Sequence, residues 1–161
     1  MGKMLTWGEF REAQPALAEA GRRLFYFLPQ PVGLGILATT RKDGGPRVHP
    51  CCPMIFGDHL FAFVIPSPKR QDLHRDGRYA LHCYPPAENE DAFSLAGRAE
   101  LVADDAVVAA ATAQYLAERQ WERPIDGFDE QELFEFMIDR CLLTRTTGHG
   151  DPHPRHQVWR S

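Results

Sequence analysis

The chain has 161 residues, 43% of them hydrophobic and 25% charged, with a formal net charge of −4. That length and composition suit one compact soluble domain. The acidic balance argues against a nucleic-acid binder, and no apolar run approaches the roughly 20 residues of a membrane helix.

The opening MGKMLT fits the N-myristoylation pattern at Gly2 and Thr6. A helix start is the stronger reading, with Thr6 as N-cap and Glu9 completing a capping box. TWGEFREAQPALAEAGRRLFYFL then predicts helix over residues 6–28, divided at Pro15, where proline removes a backbone donor. LGILATT (34–40) reads as a buried strand, Asp43-Gly44 as a tight turn, and RVHPCCPMIF (47–56) as the return strand. Pro50 and Pro53 forbid a regular central ladder there and point to an edge, a bulge or a ligand-facing stretch. HLFAFVI (59–65) is a third strand, SPKRQDLHRDG (67–77) a short helix and RYALHCY (78–84) a fourth strand. AFSLAGRAELVA (92–103) is a fifth strand, with Phe93, Leu95 and Leu101 on one parity. Helices are expected over 106–118, behind an Asp104-Asp105 cap, and over 129–136. MIDRCLLTRTT (137–147) and HQVWR close the chain as strands. Short strands joined by tight turns predict an antiparallel barrel or curved sheet with few helices.

Cys51, Cys52, Cys83 and Cys141 form no C-x-x-C pair. They read as core thiols of a reducing compartment, so the expected location is cytoplasmic. Trp7 and Trp121 read as packing residues, and His74 as a helix-surface residue; His82 is placed to face a cofactor or a partner subunit. His149, His153 and His156 share a Gly/Pro-rich loop, where solvated histidines are favoured over a zinc site, and no metal is expected. No nucleophile–base pair or G-x-S-x-G elbow is visible, so no catalytic residue is assigned.

IPSPKRQDL (65–73) carries an electrostatic oddity. Ser67 and Pro68 suit a helix start, but Lys69 and Arg70 place two cations where the helix dipole is already positive. A phosphate would reverse the sign of that cost, because the helix start offers free N–H groups beside both cations. A solvated charged face is the plainer alternative. Arg47 and His49 share one parity on the preceding strand. Its prolines leave backbone groups free to bond a heteroaromatic edge such as a flavin.

LATTRKDGGPRVHP, then GDHLFAF, a serine followed by a lysine, RDGRYAL and GRAEL occur in order over residues 34–103. This order resembles the pyridoxamine 5′-phosphate oxidase-like superfamily, the FMN-binding split β-barrels. The resemblance implies a mainly β fold, a six- to seven-stranded antiparallel split barrel with peripheral helices, filling residues 1–161 as one domain. It implies FMN as cofactor, its phosphate on Ser67, Lys69, Arg70 and Arg47. The isoalloxazine would lie against Val48, His49, Pro50 and Cys51, with Val64 and Ile65 contributing backbone. A homodimer with interfacial cofactor sites is implied. So is an oxidoreductase acting on a small molecule, with nicotinamide nucleotide or oxygen as redox partner. RTTGHGDPHPRHQVWRS does not match the pyridoxal phosphate signature of the true oxidases, so that oxidation is not expected. Pro68 stands where many members have arginine. Some members of the fold bind a deazaflavin or haem, or serve as non-catalytic storage or sensing proteins.

Overall fold

A computed structural model describes residues 2–161. The lipidation pattern begins at Met1, which lies outside them. Thr6 and Glu9 form the expected capping box, each side chain accepting from the other's backbone N–H. Helix α1 (Trp7–Ala13) ends before Pro15, which opens α2 (Pro15–Phe25) as its first residue. Leu17, Ala18, Gly21, Leu24 and Phe25 recur at helical spacing and are all buried, so this face seals the barrel core.

The strands are β1 (Gly35–Thr40), β2 (Pro46–Cys51), β3 (Met54–Phe56), β4 (His59–Val64), β5 (Arg78–Cys83), β6 (Ala92–Leu101), β7 (Glu132–Arg145) and β8 (Arg155–Arg160). Helix α3 (Pro68–Arg75) follows β4, and α4 (Asp105–Arg119) follows β6. All pairings are antiparallel, in the path β2-β1-β5-β6-β7-β4-β3, with β8 added beside β7. Only Cys52 and Pro53 separate the two ends of that path, so those ends lie within about 11 Å of each other. A seven-strand path with its ends so close has to curl. The curled sheet bears out the expected antiparallel barrel with peripheral helices.

Three details differ from the sequence-based expectation. The described residues form eight strands, because Pro53 breaks the 47–56 run into β2 and β3. The helix expected over 129–136 is a single 3-10 turn, Phe128–Glu130, followed by the long strand β7. Leu101, expected on the buried parity of its strand, is 47% exposed at the end of β6.

On its other side β7 pairs β4 through Glu132–Glu135, then Leu5 at Ile138, then β8 from Arg140 onward. Where the partner changes, the β6–β7 register shifts at Ala96/Gly97. Gly97 is required there, because a Cβ would overlap the Met137 carbonyl. Gly44 supplies the positive φ (85°) of the β1–β2 turn. The main core fills the curl and includes Trp7, Phe10, Phe25, Phe93, Phe134 and Phe136. A second cluster of Met54, Phe61, Ala111 and Leu133 lies under α4. No helix among the described residues is long and apolar enough to cross a membrane.

Candidate cofactor site

The start of α3 is uncapped. The sequence places Ser67 as its N-cap, but the Ser67 hydroxyl instead donates to the Ile65 carbonyl at 2.8 Å. Pro68 has no N–H, and the N–H groups of Lys69 and Arg70 fall in the first turn, where a helix supplies no acceptor. By contrast, α1 is capped by Thr6, and α4 by Asp104, which accepts from Ala106 and Val107. Lys69 Nζ lies 3.4 Å from the Pro50 carbonyl, and Arg47 Nε donates to Asp72 Oδ2 at 2.7 Å. The two cations therefore line one seam between β2 and α3.

The remaining expected site residues divide. Arg47, His49 and Cys51 share the inward parity of β2, while Val48 and Pro50 face solvent. His49 is half-buried and makes no side-chain hydrogen bond among the described residues. Cys51 is buried, and burial pushes its thiol up to about 12, so it is a neutral wall and not a thiolate. Val64 is buried at the end of β4, and Ile65 beyond it is 52% exposed. Arg70 is not on the seam. It donates to the Glu130 carbonyl at 2.6 Å and lies 3.5 Å from Glu132, which also takes His74 Nε2 at 2.5 Å. β2 ends the sheet path, so its outer edge has no strand partner among the described residues.

Sequence reasoning missed Asp72 and Thr39. Asp72 is almost fully buried and accepts from Thr39 Oγ1 at 2.9 Å as well as from Arg47 and Arg75. Burial alone would raise its carboxyl, but these donors outweigh burial and hold it below the usual carboxylate range. The available signal was the i, i+3 spacing from Lys69, which puts Asp72 on the same helix face.

The loop histidines disperse. His149 sits near Glu90 and the Ala87 carbonyl, while His156, in β8, bonds Thr144. Trp7 is buried as expected, but Trp121 is 39% exposed, edge-on to Tyr115, whose ring carries the Arg119 guanidinium at 3.4 Å. A concavity of about 440 Å³ between the end of α2 and the 85–91 loop, walled by Phe27 and Tyr84, lies away from the seam.

Where α4 does not cover it, across β1, β5, β6 and the β8-paired half of β7, the outer face of the sheet has no helix over it among the described residues. Ile36, His82, Ser94, Leu142 and Val158 lie directly opposite one another across β1, β5, β6, β7 and β8. The neighbouring row runs Val48, Ala38, Ala80 and Ala96, and ends on the exposed Arg140 and Arg160. Val48 and Val158 are each 59% exposed. A solvated sheet face ordinarily alternates to polar residues, and these rows are largely apolar or small.

No family model matches this chain, and no curated protein matches it. Solved structures do. A haem-binding protein from Mycobacterium smegmatis superposes with a TM-score of 0.61 at 19% identity, covering 88% of this chain; the match spans 57% of that protein's length. A pyridoxinephosphate oxidase family protein from Clostridium acetobutylicum gives 0.57 at 12% identity, covering 95% of both chains. An FAD-binding protein from Mesorhizobium loti gives 0.55 at 21% identity, over 77% of this chain and 91% of its own.

Proposed function

We propose, from the split β-barrel fold that this chain shares with those proteins, that it binds FMN and acts as an FMN-dependent oxidoreductase on a small organic molecule. The observation that carries this reading is the β2–α3 seam: an uncapped helix start with Lys69 and Arg47 beside it. A phosphate monoester needs charge and several N–H donors converging on one point. Lys69 Nζ, the Lys69 and Arg70 amides and the Arg47 guanidinium would hold it. Arg70 would contribute its backbone, since its side chain is engaged by β7. The unpaired edge of β2 would meet the polar rim of the ring, with His49 and neutral Cys51 as its walls. FMN, when bound, supplies two-electron transfer; the chain's own task is to bind, orient and shield it. That division of labour agrees with a sequence that carries no nucleophile–base pair.

Nicotinamide nucleotide or oxygen would be the redox partner, and the cytoplasm the setting, in keeping with four free thiols. The uncovered sheet face would pair with a second copy to make a homodimer, since it joins apolar and small residues across six strands. Haem is the second reading. The half-buried His49 imidazole, without a hydrogen-bond partner among the described residues, is the observation in its favour. The absorption spectrum of protein supplied with each cofactor separates the two. A flavin spectrum bleached by nicotinamide nucleotide supports the enzyme, and a Soret band displaces it with haem.

A further inference from the structure

Asp72 is an unusual residue for the middle of a short helix. Aspartate is a poor helix former beyond the first turn, and this one is only 3% exposed. A buried carboxylate persists where donors surround it. Here they come from three elements: Thr39 on β1 at 2.9 Å, Arg47 on β2 at 2.7 Å and Arg75 on α3 itself at 3.0 Å.

The grip on Arg47 is one-sided. A guanidinium carries five N–H donors in a fixed fork, and a bidentate partner engages two of them. Asp72 engages only Nε, and neither Nη group has an acceptor among the described residues, although the side chain is just 23% exposed. The terminal prongs of an anchored, mostly buried arginine are thus free. Lys69 lies three residues before Asp72, on the same helix face, and reaches the same strand at Pro50. One cation is fixed in direction by Asp72, and the other reaches the same strand from one turn earlier in the helix.

We propose that Asp72 is the positioning residue of the phosphate site: it holds Arg47 by Nε so that both Nη groups face a phosphate monoester. The site thereby selects FMN over riboflavin. The inference rests on the flavin reading above and goes beyond it by assigning the specificity to a carboxylate that never touches the ligand. A simple ion pair needs only charge at position 47. Positioning needs the fork.

The test titrates apoprotein with FMN and with riboflavin, following flavin fluorescence, for the wild type, Asp72→Asn and Arg47→Lys. Lysine at 47 still offers Asp72 a cation, so its melting temperature should stay near that of the wild type. Its ammonium keeps spare N–H donors, but on one nitrogen drawn to Asp72, so it cannot present the two separate Nη groups of the fork to phosphate. Both variants are expected to lose about tenfold or more in FMN affinity while riboflavin affinity stays within about twofold. An Arg47→Lys protein that keeps the full preference for FMN overturns the proposal, because charge alone then suffices. Equal losses for both flavins also overturn it, because Asp72 then only holds the scaffold. A wild type that binds neither flavin sinks the flavin reading itself. That differs from a wild type that binds FMN while both variants match it, which sinks only the role of Asp72.

Discussion

At the scale of single residues, Lys69 and Glu118 carry opposite expectations. Lys69→Ala should weaken FMN binding by about 1.5–3 kcal/mol, the range of a hydrogen bond to a charged group, as read by fluorescence titration. Unchanged affinity would place the phosphate elsewhere. Glu118 is almost fully buried near the end of α4, and burial raises its carboxyl above the usual range despite the Gln114 amide at 3.1 Å. A raised acid holds its proton more tightly in the folded state. Stability therefore falls as pH rises from the ordinary carboxylate value through the raised one. Glu118→Gln should stabilise the protein at pH 7 by about 1 kcal/mol, or roughly 2–4 °C in Tm. The gain should fade below about pH 4, where the unfolded chain also carries the proton. A gain that persisted at low pH would assign it to something other than charge. Lys69 was legible because its place at a helix start is a local contradiction. Asp72 and Glu118 were not, because their burial is created by strands and helices distant in sequence.

At the scale of elements, hairpins and caps were the legible features. Thr6 with Glu9, Asp43-Gly44 and Pro15 each act within a few residues, and each stands where local chemistry put it. β7 was not legible over its first half. Leu133 packs under α4 while Phe134 and Phe136 enter the barrel core, so both faces are covered there. Alternation is lost, and the apolar residues 133, 134, 136 and 137 imitate helical spacing. The register shift at Gly97 gives this strand its sharpest test. Gly97→Ala should cost about 3 kcal/mol or more, as an overpacked site with no side chain able to yield. Urea unfolding reads that loss, and an unchanged midpoint would deny the close approach of Gly97 to Met137.

At the scale of the whole molecule, the barrel was legible because the order of strands and turns is a one-dimensional record of antiparallel pairing. Its closure rests on Cys52-Pro53, where proline ends one strand and frees the next. The uncovered face was less legible, since small residues such as Ala38, Ala80 and Ala96 have the same alternation whether water or a second subunit lies over them. The homodimer reading expects sedimentation equilibrium to give twice the 18.2 kDa chain mass, with Val48→Asp shifting the protein toward monomer. A monomeric wild type at micromolar concentration would refute it. The central claim is that the β2–α3 seam is a flavin phosphate site, and titration of FMN into the purified apoprotein, with riboflavin as reference, tests it most directly. Saturable quenching with FMN held at least about tenfold more tightly than riboflavin is the predicted result; absence of FMN binding, or equal affinity for the two, would contradict it.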